Sequence, residues 1–344
     1  MTGLFLNNQH PKLVMRNANL IMHASQPVMR HSLKRIFHTL FMWVAGCCSY
    51  GMATGQTTAI IDTNASPVVF APGVMSTPYT EWATSFTPDG QRVFCSRGAI
   101  YWTIVFSSME NGKWAKPKVA SFSGRWTDTD PFVSPDGKRL FFISNRPLEG
   151  ASQDKPQKNS HIWYVDRQGV DEWSAPHHLD SLVNLDTSSN YAPSVSLTGT
   201  LYFCSRDREG NSGMNSYFAQ WLGDHYGKPS LLTFKGLSES QDPFIAPDGR
   251  YLIFVSGNDL YISFHQKGAW SEPQKLGPTV NNGDSNFSPC VSPDGKTLYY
   301  SSSRVQGFYK RDAHIFSYDE LIKENESLFN GQPNILMIPI HLPS

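Results

Sequence analysis

Two columns of polar side chains recur at fixed offsets from a turn motif, and they are the residues best placed to do chemistry. The motif is Pro-Asp-Gly or its equivalent, with first residues Pro88, Pro135, Leu197, Pro247 and Pro293. Seven positions earlier stand Glu81, Asp128, Asn190, Ser240 and Asn286. After the apolar run that follows each turn stand Arg97, Arg146, Arg206, Gly257 and Arg304. Carboxylates and amides beside guanidinium groups can fix an acidic, peptide or glycan ligand through charge-assisted hydrogen bonds. Trp82, Tyr191 and Phe287 follow the first column directly and add stacking faces. The fourth unit has lost both columns, so the ligand-binding set expected here is Glu81, Trp82, Asp128, Asp130, Arg146 and Arg206. The competing expectation is architectural: Glu81–Arg97 and Asp128–Arg146 as pairs within a repeat that tie loops together.

Other chemistry is poorly supported. The sequence has no Gly-x-Ser-x-Gly elbow and no His-Glu-x-x-His motif, so no catalytic residue, metal or cofactor is assigned. Gly295-Lys296-Thr297 lacks the earlier glycine of a phosphate loop, Cys290 standing in its place. Asp62-x-Asn64 and Asp128-x-Asp130 lack the rest of a calcium loop. His177-His178 reads as a surface pair. Cys95, Cys204 and Cys290 read as buried thiols acting as small hydrophobes.

These residues must be positioned by a repeat. Marker glycines Gly90, Gly137, Gly199, Gly249 and Gly295 are spaced by 47, 62, 50 and 46 residues, the longest interval holding a polar insertion at 148–160. Each unit reads as a meander: a short strand, the tight turn, and a second strand that is apolar on consecutive residues and so is covered on both faces. An aromatic-rich third strand follows, seen as Ile100-Tyr101-Trp102, Ile162-Trp163-Tyr164, Tyr217-Phe218, Leu260-Tyr261-Ile262 and Ile315-Phe316. A fourth strand is marked by an aromatic-x-x-Pro signature. The fold class expected is an all-β propeller of four-stranded antiparallel blades, with five blades and with six as the alternative. The ring is expected to close by residues 66–73 pairing with the strand at 314–318. The candidate columns enter strand one and leave strand two, which puts them on one mouth of the propeller.

The string Ser-Pro-Asp-Gly-Lys-x-Leu-(Phe/Tyr)-(Phe/Tyr)-x-Ser-x-Arg is similar to the TolB-type propeller repeat, a Pro-Asp relative of the WD repeat. The joins Val183-Asn184…Asn190 and Val280-Asn281…Asn286 look like those of exported bacterial propellers built of such repeats. The resemblance covers about residues 66–322. It implies a β-propeller, and a function ranging from envelope binding protein to a propeller attached to a peptidase, for which this chain has no room.

Composition sets the remaining bounds. The 344 residues carry 29 Lys+Arg and 29 Asp+Glu, a zero net charge that argues against nucleic acid as a partner. Residues 1–28 read as a non-native extension before Met29. Arg30, Lys34 and Arg35 precede an apolar stretch at 36–45 and then small residues, the layout of a signal peptide over 29–53. Val44-Ala45-Gly46-Cys47 resembles the bacterial lipoprotein box, which implies lipidation of Cys47. The propeller is expected over 57–326 and a C-terminal tail over 327–344. The reading is a non-catalytic ligand- or protein-binding propeller of the cell envelope, periplasmic or anchored as an outer-membrane lipoprotein without a transmembrane helix. Its partner is an envelope protein, a peptide or a glycan. The alternative is a carbohydrate-active enzyme, hydrolase or lyase, using Glu81, Asp128, Asp130 and Asp242 at the mouth.

Overall fold

A computed structural model of the chain describes residues 60–62, 64–303, 311 and 313–343. The expected signal segment, the lipoprotein box with Cys47, and Arg304 lie outside the described residues. Five antiparallel sheets form the blades of one propeller. From the axis outwards, blade one runs through Thr80–Phe86, Arg92–Gly98 and Trp102–Glu110 to the short edge pieces Lys113–Trp114 and Lys118–Val119. Blade two has Asp128–Val133, Arg139–Ser144, His161–Asp166 and His177–His178. Blade three has Asn190–Val195, Leu201–Arg206, Met214–Ala219 and Ser230–Leu231. Blade four has Gln241–Ile245, Tyr251–Ser256, Asp259–Gln266, and the edge pieces Ala269–Trp270 and Gln274–Lys275. Each inner strand packs against the inner strand of the next blade, and the fifth packs back on the first.

The unbroken apolar runs follow from this packing. Side chains of a strand alternate between its two faces, so a strand between two other blades must be apolar at every position. In blade two, Leu140 and Phe142 enter the core shared with blade one, while Phe141 and Ile143 enter the core shared with blade three. In blade four, Leu252 and Phe254 face blade three, and Tyr251, Ile253 and Val255 face blade five. The protein therefore has an apolar core in each cleft between neighbouring blades.

Blade five departs from the expected layout. Its strands are Ser285–Val291, Thr297–Ser303, Asn334–Pro339 and, from the other end of the chain, Val68–Val69. The closing strand comes from the N-terminal side as expected, but it pairs with 334–339 and not with 314–318: Val68 faces Met337 and Val69 faces Leu336. The segment expected to be a tail over 327–344 thus supplies a core strand. The physical reason is local. Ile315-Phe316 runs straight into Ser317 and Glu320, whose reciprocal side-chain and backbone bonds form a capping box for the helix Tyr318–Asn325, and Phe316 is 84% exposed. Ile335, Leu336 and Ile338 are almost wholly buried and complete the core with blade four and blade one. The third strand of blade one also starts later than expected, at Trp102, leaving Ile100 and Tyr101 exposed in the preceding turn.

Candidate functional site

The two polar columns lie at one end of the propeller, the end where chain passes from blade to blade, and there they form buried locks. Glu81 is completely buried; its carboxylate accepts from Arg97 Nε at 2.9 Å and from the Thr77 backbone N–H at 3.0 Å. Arg97 also donates to the Val74 carbonyl at 2.6 Å. Asp128 is equally buried; it accepts from Arg146 Nη2 at 2.7 Å and from Ser123 Oγ at 2.8 Å, and Arg146 donates to the Phe122 carbonyl at 3.0 Å. Each arginine therefore ties an incoming blade-to-blade connection to its own blade. Burial pushes the Glu81 carboxyl above its ordinary range, against the pull of Thr77 and Arg97.

Blade three solves the same problem with different residues. Arg206 is exposed, and Arg208 takes the buried role, donating to the Val183 carbonyl at 2.7 Å and the Leu182 carbonyl at 2.6 Å. Asn190 donates to the Val183 carbonyl at 3.1 Å, as Asn286 does to that of Val280 at 3.1 Å. Asn184 and Asn281 bind both backbone groups of Ile162 and Leu260 respectively, so the two Val-Asn joins are built alike. Of the six expected ligand residues, Glu81, Asp128 and Arg146 are thus inside locks and Arg206 stands apart from them.

Trp82 and Asp130 are brought together, at the axis. In all five inner strands the register slips at one residue in left-handed conformation: Ala83, Asp130, Ala192, Asp242 and Ser288, with φ between 45° and 55°. The bulge turns that side chain towards the axis. Asp130 accepts from Trp82 Nε1 at 3.0 Å in blade one and from the Ala192 N–H at 3.1 Å in blade three, spanning three blades. Asp242 accepts from the Ser288 N–H at 2.9 Å. The two aspartates share an axial waist with Thr84 whose free volume is only 30 Å³. Desolvation there, with the Asp242 charge nearby, pushes Asp130 up to about 6, and burial raises Asp242 as well. This column sits five residues before each turn position, four of the five followed by Pro and the fifth, Ala83, by Thr84, and it could have been read from the sequence at the same offset in every unit.

A cavity also lies at the opposite end from the expected mouth. A funnel of 580 Å³ opens among the strand-one-to-strand-two turns. Phe86, Phe132 and Phe244 form its floor, the turn prolines Pro88, Pro135, Pro247 and Pro293 its wall, and Asp248, Arg250 and Asp294 its polar rim. The turns are rigid: Gly137 N–H bonds to the Ser134 carbonyl and Gly249 N–H to that of Ala246, with Pro at the first central position. Asp294 is held below the usual carboxylate range by the Ser292 hydroxyl and the Lys296 N–H, so it stays charged. Repeated turns gave these residues away as structural, and nothing in their spacing signalled a cavity.

His178 is not the plain surface residue expected. His177 is exposed, but His178 Nε2 lies 2.9 Å from Nδ1 of the buried His161. Burial drives both below the ordinary imidazole range, His178 to about 4, so both are neutral at pH 7. The three cysteines are buried and free, and burial pushes the Cys95 and Cys290 thiols up to about 12.

No family model matches the sequence. The Tol-Pal system protein TolB of Francisella tularensis subsp. tularensis is 24% identical over 217 residues, which is 61% of this chain and 45% of that protein. The chain thus spans about half the length of the curated relative it matches. Among solved structures, TolB from Acinetobacter baumannii matches with 18% identity and a TM-score of 0.44, over 81% of this chain and 64% of its own. A xylan β-1,4-xylosidase from Bacillus halodurans matches with 12% identity and a TM-score of 0.48, over 79% and 55%. The repeat and the closed ring of five blades make this chain a β-propeller protein, and its sequence is similar to that of TolB.

Proposed function

We propose that the chain is a binding propeller of the bacterial cell envelope that seats a protein or peptide partner in the funnel on its turn face. The observation that carries this is the funnel itself: 580 Å³ of apolar floor with a few charged groups at the rim, the usual make-up of a binding site. The similarity to a protein named as belonging to the Tol-Pal system supports an envelope role for this chain. The basic, apolar and small-residue run from Arg30 to Ala53 supports export, with Cys47 as the residue lipidated if the lipoprotein route is used.

The glycosidase reading is less well supported. Glu81 and Asp128 are committed to arginines inside the blade joints. Asp130, whose raised pKa would suit a general acid, shares with Asp242 a waist of 30 Å³, room for about two waters and not for a sugar ring.

The test is capture from an envelope extract by the exported chain, with Leu197→Glu and Arg206→Glu run beside it. Leu197 is 63% exposed on the funnel rim, so a charge there alters the site without touching the core. Partners should be lost from Leu197→Glu and kept by Arg206→Glu. The reverse pattern would move the binding face to the blade-joint end and sink the proposal.

A further inference from the structure

A second cavity lies beside the funnel, in the cleft between blades two and three on the turn face. Its volume is 520 Å³. One wall is aromatic: Trp221 and Tyr226 are paired across a tight hairpin, with ring centroids 5.0 Å apart and edge to face. Trp221 remains 37% exposed although it is held on two sides. It lies against Gly199, where an added Cβ would come within 2.9 Å of the Trp221 Cβ; Gly199 also has a φ of +83°, so this position suits glycine on both counts.

The facing wall is a fixed donor and acceptor array. Arg139 donates through Nε to Asp166 Oδ1 at 2.7 Å and through Nη2 to Asp166 Oδ2 at 3.2 Å. Its guanidinium carbon stacks 3.8 Å above the centroid of the Tyr164 ring. The pair is therefore rigid, and its charges cancel while Asp166 keeps further acceptor capacity and Arg139 a further donor edge. Arg167 is exposed at the same cleft, its Nε bonded to the Gly169 carbonyl at 3.1 Å.

A flat aromatic side chain opposite a neutral, planar donor and acceptor pair is the chemistry that recognises a sugar. The ring's apolar C–H face stacks on the aromatic, and vicinal hydroxyls, each donor and acceptor at once, match the guanidinium and the carboxylate. We propose that this cleft is a saccharide-binding site in which Trp221 stacks on a pyranose ring and the Arg139–Asp166 pair hydrogen-bonds its hydroxyls. The cleft adjoins the funnel and shares Ser134, Pro135 and Leu197 with it, but Trp221, Arg139 and Asp166 line the cleft and not the funnel, and the proposal does not rest on the funnel's partner. The volume suits one or two sugar units of a longer chain.

The experiment is titration of the chain with cello-, chito- and galacturono-oligosaccharides, followed by calorimetry and by saturation-transfer NMR. At least one of the three should bind. Trp221→Ala should weaken that binding by about tenfold or more and Trp221→Phe by less, because Phe keeps a stacking face. Arg139→Gln should weaken it as well, and an unchanged thermal midpoint for Trp221→Phe keeps the comparison free of unfolding. Failure of all three sugars to bind below about 10 mM would overturn the proposal, and so would binding that Trp221→Ala leaves intact. Leu197 lines both cavities, so the variant that separates them is Trp221→Ala, at a residue that lines the cleft alone; it should leave protein capture intact while sugar binding falls.

Discussion

Arg146→Met separates a structural lock from a ligand site more sharply than any other single change. Arg146 is 8% exposed and Asp128 is fully buried, with 2.7 Å between Nη2 and Oδ1. Methionine keeps an unbranched apolar side chain in place of the stem but loses the guanidinium, whose carbon lies 4.8 and 5.5 Å from the ring centroids of Phe142 and Trp163. What it removes is the charge partner of a buried carboxylate and the donor to the Phe122 carbonyl. Breaking one half of a buried ion pair costs about 3–5 kcal/mol, because the remaining charge is left desolvated. In a domain of this size that should lower the thermal midpoint by on the order of 10 °C. Adding Asp128→Asn removes the orphaned charge, so the double variant should recover a large part of the loss. Arg206→Ala, at an exposed arginine of the same column, should change stability by less than about 0.5 kcal/mol. Urea denaturation of the four proteins measures all of this. A cost below about 1 kcal/mol for Arg146→Met, or no recovery in the double variant, would refute the account of the columns as locks.

Three further outcomes are expected. Phe70, 3% exposed and edge-on to Tyr299 at 4.9 Å, anchors the closing strand, so Phe70→Ala should cost about 3–5 kcal/mol in unfolding experiments. The raised Asp130 carboxyl stabilises the fold most below its unfolded value and loses that contribution as pH rises through about 6, whereas His178, lowered to about 4, loses stability for the fold as pH falls from 6.5 towards 4. The two slopes oppose each other, so stability against pH should be compared in Asp130→Asn and His178→Gln separately: each should remove a slope of opposite sign. Cys95, Cys204 and Cys290 should resist thiol reagents in the native protein and react only after denaturation, as read by peptide mass mapping.

The propeller was legible because its physics is local and repeated. A strand covered on both faces must be apolar at consecutive positions, and a tight antiparallel turn favours Pro-Asp-Gly; five copies at a period near 50 residues leave few other folds. The strand-order meander and the contribution of an N-terminal strand to the last blade follow from the same repeat. The third strand of blade five did not follow, because Ile315-Phe316 and 334–339 are both short apolar runs and only the Ser317–Glu320 capping box and the burial of Ile335 and Ile338 distinguish them.

The site was legible only as residue columns. Spacing showed that Glu81, Asp128, Arg97 and Arg146 share one end of the ring, but spacing carries no information about solvent, and burial turned those charges into joints between blades. The exchange of Arg206 for Arg208 in blade three needed the left-handed turn at Asp207 to be seen. The funnel and the cleft beside it are spaces between five separate turns and between two separate blades. No residue's type or offset encodes them; they exist because ring closure brings five turns from separate blades, and the flanks of blades two and three, to face one another, which is a property of the assembled tertiary structure alone.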